Sequence, residues 1–365
     1  MKSDVFIGID LHSNNFNICK IDSDGTKTTQ NFSFYEPADV DSFAATLSKN
    51  THIMVEASTN TFSFCDRIRP TGSEILVANP YKLKLISLVN KKTDRVDAEK
   101  LAVILKMQVT TGEKLFEPVF VPDQHIRNLR SLFTTYKFLM KQRNAIKNRI
   151  RSIYRQNLIV LDSRLTLTKP CIRKLNNIDL PDISKFQVDV LIKNFLELSG
   201  HIKDIQKAIK NLGVYFLDNI DILTSMRGIS VFMALALLAD IGDISRFRNS
   251  KKLASYLRSA PGIDSSNQTT RILSVNKQSR KLAISFLTQA LAHFKTTNPK
   301  LKSWTEKKDG KKGKGKLRMA VCRKVITEIF QMLSKKQYHY YRDITNHHYK
   351  MNTYKNYLKK KNILI

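Results

Sequence analysis

The chain has 365 residues, of which 62 are lysine or arginine and 31 are aspartate or glutamate, so its formal net charge is +31. A surplus of this size attracts polyanions, which makes nucleic acid the leading candidate partner and an anionic membrane surface the second. The longest apolar run, residues 231–239, is far shorter than the about 18 residues of a membrane span, and the N-terminus lacks the apolar core of a signal peptide. Four scattered cysteines without a C-x-x-C pair predict reduced thiols in a cytoplasmic protein.

The first 120 residues alternate short apolar runs with amphipathic stretches. A helix is predicted over 39–47, a second helical stretch between the last two strands, and further helices from Tyr81 and from Asp97. A meander followed by strands that alternate with helices predicts an α/β domain of about 115 residues. Its strands are predicted at residues 5–9, 16–21, 31–34, 52–56 and 74–77.

The middle of the chain carries two stretches with heptad spacing. Apolar residues step by three and four over 129–153, with Arg143 as the one exception, and again over 188–212. Two such helices most simply form an antiparallel hairpin, although pairing between chains and two core helices of a bundle are alternatives. Residues 124–161 contain no acid and nine lysines or arginines, which favours a nucleic-acid face.

A third region follows from residue 221. The sequence SMRGISVFMALALLADIG predicts a turn at 227–230, an apolar helix and a stop at Gly242. A small-residue turn that opens a helix resembles a helix-hairpin-helix, whose backbone N–H groups can hold a phosphate, although many buried helices begin in this way. Residues 307–318 are predicted to form a flexible basic loop. His339, His347 and His348 are predicted to lie in a solvated basic end rather than a metal site.

Four carboxylates lie where strands end or a helix begins. Asp10 ends the first strand, Glu56 closes the HIMVE strand, and Asp94 and Asp97 lie three residues apart at a helix start. Together they could hold two divalent cations through oxygen ligands, for which Mg²⁺ is suited, and so act on a phosphodiester. The alternative is that Asp94 only caps a helix and that Asp97, in its first turn, only interacts favourably with the helix dipole.

These residues resemble the DEDD transposases of bacterial insertion sequences, the one-hundred-and-ten family, over nearly the whole chain. The matching motifs are the strand Asp, the strand-end Glu, the K-T-D-x-x-D helix start, LLADIGDISRFRNSKKLASYLRSAPGI and RMAVCRKVITEIFQML. The resemblance implies an α/β RNase H-like (RuvC-like) N-terminal domain over 1–120, a helical coiled-coil hairpin over 121–218 and a mainly α C-terminal transposase domain with a helix-hairpin-helix-like element over 219–340. A basic tail over 341–365 would complete the chain.

The family's second chemical element is a serine five residues after a proline. Ser266 lies at that spacing from Pro261, with Ser265 as the alternative nucleophile. Asn267 replaces the family's glycine. Asparagine also tolerates a left-handed backbone, so this sequence is still compatible with a tight turn at that position. Two further departures from the family pattern are the turn at 277–280 and Ser230.

The resemblance implies a DNA transposase or recombinase. Asp10, Glu56, Asp94 and Asp97 would hold Mg²⁺ or Mn²⁺, and the serine would form a phosphoserine with DNA. The serine of one subunit would meet the acids of another in a dimer or tetramer, and a structured noncoding bridge RNA would pair with double-stranded donor and target DNA near the bacterial nucleoid. The alternatives are a hydrolytic RuvC-like structure-specific endonuclease and a non-catalytic nucleic-acid-binding relative. Nucleic acid is expected to contact Lys91, Lys92, Lys147, Arg149, Arg151, Arg227, Lys277, Lys311 and Lys312.

Overall fold

The computed structural model divides the chain into two compact units, Met1–Val121 and Pro122–Ile365. The structure describes residues 4–80, 83, 94–115, 118–162, 165–266, 269–275, 280–310 and 313–363. Within these ranges, none of the helices combines the length and apolar character needed to cross a bilayer. All four cysteines lie in the same ranges, and no disulfide joins them.

The first unit is built on a mixed five-stranded sheet of order β3-β2-β1-β4-β5. The first three strands form an antiparallel meander, whereas β4 and β5 run parallel to β1. This order is consistent with the expected RNase H-like fold. The helix expected from Tyr81 begins outside the described residues. The strands are β1 (Val5–Leu11), β2 (Asn15–Ile21), β3 (Lys27–Ser33), β4 (Thr51–Glu56) and β5 (Glu74–Ala78).

The two faces of the sheet are covered by different helices. Ile7, Ile9 and Leu11 of β1 share an apolar cluster with buried residues of α1 (Pro37–Ala45) and α2 (Thr61–Ile68). Phe6, on the opposite face, joins a second cluster with buried residues of α3 (Asp94–Thr111). Because side chains alternate along a strand, the even-numbered residues of β1 face α3.

Helix α3 lies directly against β1. A Cβ atom placed on Gly8 would overlap the carbonyl oxygen of Ala98 and the amide nitrogen of Ala102. Glycine at this position therefore allows the helix backbone to touch the strand, which a side chain would prevent. This close approach fixes the depth at which α3 packs on the sheet.

The second unit is mostly helical, and its longest members are α4 (Gln124–Gln156) and α6 (Asp182–Leu212), with α5 (Lys169–Asn176) between them. The two long helices run antiparallel, since Asn157 Nδ2 lies 3.1 Å from Ser184 Oγ and the Arg143 guanidinium lies over the Phe195 ring. The predicted apolar seams of both helices are buried or half-buried. The hairpin expected from the sequence is thus formed within one chain.

The most apolar of the remaining helices is α8 (Val231–Ile241), which is buried from Met233 to Ile241. An antiparallel pair, β6 and β7, interrupts the helices and was not predicted from the sequence. Residues 314–318, expected in a flexible loop, lie in a helix. The elements are α7 (Leu217–Thr224), α8 (Val231–Ile241), α9 (Ser250–Tyr256), β6 (Pro261–Ser266), β7 (Thr269–Val275), α10 (Leu282–Gln289), α11 (Leu291–Thr297), α12 (Pro299–Glu306), α13 (Lys314–Lys335) and α14 (Ile344–Lys359).

The C-terminal residues include a helix that packs into the core of the second unit. Met351, Tyr354 and Leu358 of α14 are buried in its main apolar cluster. The expectation of a solvated end is wrong for His339, whose side chain is 7% exposed, and for His347, whose side chain is only 2% exposed. The ring of His347 is held between Arg342 and Asp221, so this histidine is a packed structural residue.

Candidate active site and nucleic-acid surface

Asp10 and Glu56 lie at the same end and on the same face of the sheet. Strands β1 and β4 are parallel neighbours, and their register pairs Ile9 with Val55. The next residues along the two strands are Asp10 and Glu56, so the two carboxylates project side by side. Asp10 and Glu56 are an even number of residues from Phe6 and Met54, respectively, so they face the same side of the sheet. Phe6 and Met54 belong to the apolar cluster on the side that α3 covers.

Helix α3 begins at this same end of the sheet. Its Ala98 lies against Gly8, whereas Lys106 reaches the ring of Phe6, with Nζ 5.9 Å from the ring centroid. The helix therefore runs antiparallel to β1. Asp94, the first residue of the helix, lies about 6 Å along the helix axis from Ala98. Asp10 lies about 7 Å along the strand from Gly8, in the same direction, so Asp94 and Asp10 are at similar heights.

The first turn of α3 contributes the other two predicted acids. Helical spacing places position 94 on the same stripe as Ala98 and Leu101, which face the sheet. The side chain of Asp94 lies outside the description. Asp97 is half-buried, and its Oδ1 accepts a hydrogen bond of 2.8 Å from Lys100 Nζ. The backbone thus brings Asp10, Glu56 and the start of α3 to one end of one sheet face.

The sequence interpretation missed His12 as a neighbour of this group. Its Nε2 lies 3.2 Å from Oδ2 of Asp10, whose side chain is 14% exposed. Asn60 donates from Nδ2 to the backbone oxygen of His12 at 2.8 Å, which ties the loop after β1 to the start of α2. Thr61 Oγ1 likewise donates to the backbone oxygen of Glu56 at 2.8 Å, so both acids precede anchored turns.

The oxygen donors of this group suit a divalent cation. Two carboxylates at neighbouring strand ends, one of them largely buried, provide the oxygen ligands that Mg²⁺ or Mn²⁺ accepts. Among the described side chains, no group of three or more ligand-type residues forms by itself. The carboxylate of Asp97, which Lys100 holds, therefore does not form such a group with Asp10 and Glu56, and these two acids fit as the sheet-borne half of a metal site.

A polar cleft opens beside His12 on the same unit. It is a cavity of about 540 Å³ between the β1–β2 turn and β3, and its lining includes Asn14, Asn31 and Tyr35. Amide and hydroxyl groups can contact sugar and phosphate oxygens of a nucleic acid. The cleft thus offers room for a polar ligand next to Asp10.

Ser266, the predicted nucleophile, is the last residue of β6. The register pairs it with Thr269 and pairs Ser265 with Thr270, so both serines lie near the turn of the β6–β7 hairpin. The side chains of residues 262–279 lie outside the description, and so does Asn267.

The predicted basic surface is described in part. Arg149 is exposed on α4, and Lys147 and Arg151 are half-buried on the same helix. Burial, followed by the charges of Arg143 and Arg151, lowers the pKa of the Lys147 ammonium. This crowding of cations at helical spacing would be relieved by an anion. Lys91, Lys92, Lys277, Lys311 and Lys312 lie outside the described residues.

Arg227 lies in the turn between α7 and α8, as the sequence predicted. Gly228 in this turn has a φ of +95°, and Ser230 caps α8 by accepting a hydrogen bond from the Met233 amide. The Arg227 side chain is 51% exposed, with one guanidinium nitrogen 3.6 Å from Asp343. The turn is thus accessible to a polyanion.

Comparisons with known proteins agree with these features. Residues 7–157 match a family model described as a DEDD transposase, and residues 220–306 match one described as "Transposase IS116/IS110/IS902 family". Over 351 residues, 92% of each chain, the protein is 22% identical to "Transposase for insertion sequence element IS1111A" of Coxiella burnetii. It is 20% identical over 235 residues, 63% of this chain and 55% of the relative, to "Putative transposase y4qE" of Sinorhizobium fredii. The chain belongs to the IS116/IS110/IS902 family of transposases.

Proposed function

We propose that the protein is a DNA recombinase that cuts and rejoins strands through a phosphoserine at Ser266, assisted by Mg²⁺ or Mn²⁺ at the four acids and guided by a bridge RNA. The observation that supports this proposal best is the placement of Asp10 and Glu56 beside the first turn of α3. Separate structural roles for these acids would not require them to share one end of one sheet face.

The serine distinguishes recombination from hydrolysis. In the proposed step, Ser266 Oγ attacks a backbone phosphorus, an Oγ–P bond forms, and the bond from phosphorus to a deoxyribose oxygen breaks. The electron pair of that bond stays on the leaving oxygen, which takes up a proton, while the proton of the serine passes to a carboxylate of the acid cluster. A hydroxyl of a second strand then attacks the phosphoserine, which joins the strands and releases the serine.

The acids would hold the metal and orient the phosphate. Asp10 and Glu56 would provide ligands from the sheet, and Asp94 and Asp97 would provide them from the helix. Bound cations would supply charge stabilisation at the phosphate oxygens. His12, 3.2 Å from Asp10, would hold that carboxylate in place.

The partners follow from charge and from the two-part site. A net charge of +31 suits a protein that holds RNA and double-stranded donor and target DNA together. Base pairing with the RNA would supply sequence specificity, and the protein would contact backbones. In the proposed dimer or tetramer, the serine of one subunit acts with the acids of another.

The test is a recombination assay with full-length protein, its co-purifying RNA, Mg²⁺ and donor and target DNA. Asp10→Ala and Ser266→Ala should each abolish joined product, and Ser266→Ala should still bind nucleic acid. Ser265→Ala should retain joining, which makes it the matched control for the serine. Joining by Ser266→Ala would refute the serine assignment.

The same assay separates the two alternative functions. A hydrolytic endonuclease would release free DNA ends without a protein–DNA adduct, and Ser266→Ala would cut as the wild type does. A non-catalytic binding protein would give identical results for the wild type and Asp10→Ala. Mixing Asp10→Ala with Ser266→Ala should restore joining if the two parts of the site come from different subunits.

A further inference from the structure

A second candidate site lies in the unit formed by residues 122–365. A cavity of about 290 Å³ opens between α4, the C-terminal end of α8 and the start of α10. Four of its eight lining side chains are cationic, and Asp240 is the one acid among them. The cations are Arg130, Lys137, Arg280 and Lys281.

The carboxylate of Asp240 is fully engaged. Its side chain is 1% exposed, Oδ1 accepts a hydrogen bond of 2.7 Å from Arg280 Nε, and Oδ2 accepts one of 2.8 Å from the Ala283 amide. Asp240 thus neutralises Arg280 and caps the first turn of α10. Arg130 instead donates from Nε to the backbone oxygen of Ala239 at 2.6 Å, so it shares the charge of Asp240 with Arg280 but makes no direct hydrogen bond to that carboxylate.

The positive charges in the cavity repel one another. Burial, followed by the charge of Arg280, lowers the pKa of Arg130 to about 10, so it stays charged at neutral pH. Burial, followed by the charge of Lys281, also lowers the pKa of Lys137. Half-buried like charges in one cavity raise the free energy of the protein alone, and a bound anion would lower it.

The cavity lining is close in sequence to the hairpin that carries Ser266. Arg280 follows the end of β7 by five residues, and Arg258, whose charge also acts on Lys137, precedes β6 by three. Five residue steps separate Pro261 from Ser266, or about 17 Å in a strand. A phosphate in the cavity would therefore lie several nucleotides from one at Ser266.

We propose that this cavity binds a backbone phosphate of nucleic acid that flanks the phosphate presented to Ser266. The flanking position rests on the proposed function, whereas phosphate binding itself does not. The chemistry is that of a phosphodiester, which DNA and the guide RNA share. The lining suits it, because guanidinium and ammonium groups bind phosphate oxygens and four cations share one carboxylate, Asp240, in the cavity.

The first test is a footprint of lysine reactivity on the full-length Ser266→Ala chain, which binds without turnover. Acetylation of individual lysines is followed by mass spectrometry in separate samples with a DNA oligonucleotide, an RNA of the same sequence, and inorganic phosphate. We expect Lys137 to be protected at least tenfold by one or both nucleic acids. The arm that protects it identifies the source of the phosphate. Unchanged reactivity with both nucleic acids, or protection by inorganic phosphate alone, would overturn the proposal.

The second test uses matched variants in the same background. Lys137→Gln should reduce the slope of log affinity against log salt by about 1, and Lys137→Arg should restore it. Lys141→Gln, one turn further along α4 and exposed outside the cavity, is the control and should change the slope by less. Equal slopes for Lys137→Gln and Lys141→Gln would overturn the proposal.

These readouts distinguish the site from the proposed function. Loss of joining chemistry would leave the footprint and the salt slope unchanged, because both are measured without turnover. Conversely, a recombinase that joins strands through Ser266 but leaves Lys137 fully reactive in its complexes would retain the proposed function and exclude the cavity.

Discussion

Replacing Gly8 by alanine tests whether the contact between β1 and α3 positions the acids. The new Cβ would overlap backbone atoms of Ala98 and Ala102, which cannot rotate away as a flexible side chain can. Helix α3 must then retreat from the sheet by about 1 Å, and a gap of that size loses between a quarter and a half of the dispersion attraction between the facing atoms. Overpacking of this kind typically costs about 1–3 kcal/mol, and the backbone contacts place Gly8→Ala at the upper end.

Hydrogen exchange of peptides that cover β1 and α3 measures this effect locally. A loss of about 1–3 kcal/mol corresponds to exchange about 5–150-fold faster, because each 1.4 kcal/mol is a factor of ten. The same retreat should reduce DNA cleavage about a hundredfold, since it moves Asp94 and Asp97 away from Asp10.

The matched control is Gly200→Ala. Gly200 is exposed within α6, and a Cβ atom there would meet nothing within 4 Å. This substitution should stabilise the helix by about 0.5–1 kcal/mol, since alanine favours a helix over glycine. Wild-type exchange rates and cleavage in Gly8→Ala would refute the argument that the close contact positions α3.

Two further predictions concern buried charged or titratable groups of the second unit. Burial lowers the pKa of His347, and Arg342 Nε donates to its Nδ1 at 2.8 Å, so the folded protein holds the neutral ring. Because the unfolded chain binds the proton more readily, stability should fall as the pH drops through about 6.5. His347→Gln should weaken this dependence, and the melting temperature from pH 7.5 to 5 measures it. Asp240→Ala should lower the unfolding free energy of its unit by about 1–3 kcal/mol in urea, because it leaves the Ala283 amide and the partly exposed Arg280 without their partner.

Each of these has a result that would contradict it. His201→Gln, at an exposed histidine of α6, should leave the pH dependence as it is. If His347→Gln also left the pH dependence of the melting temperature unchanged, the neutral ring of His347 would not be the source of that dependence. A loss below about 1 kcal/mol in Asp240→Ala would show that Asp240 is not needed to compensate Arg280.

The sheet and two of its acids could be predicted because strand patterns are local. The nearly continuous apolar runs in VFIGIDL and HIMVE indicate strands that are buried on both faces, and the position of Asp10 and Glu56 after the apolar residues identifies the strand ends. Register then aligns the two acids, which follows once the strands are parallel neighbours. The predicted strand over 31–34 was too short, since polar residues 27–30 belong to an exposed edge strand with little apolar pattern.

The features that the sequence did not reveal depend on long-range packing. His12 approaches Asp10 because the loop after β1 is tied to Asn60, far along the chain. His347 reads as part of a basic tail, but Met351 and Tyr354 on the same helix bury it against α7. The cationic cavity likewise joins residues from three distant segments, 130–137, 240 and 280–282, whose individual patterns indicate only helices.

The most direct test of the account is Mn²⁺ binding followed by electron paramagnetic resonance, with full-length protein in the absence of nucleic acid. We predict that the wild type binds Mn²⁺ and that Asp10→Asn, Glu56→Gln and Asp94→Asn each weaken binding at least tenfold. Asp66→Asn, at an acid on α2 outside the group, should bind as the wild type does. Undiminished binding by Asp94→Asn or by Glu56→Gln would contradict the claim that strand ends and helix start form one metal site.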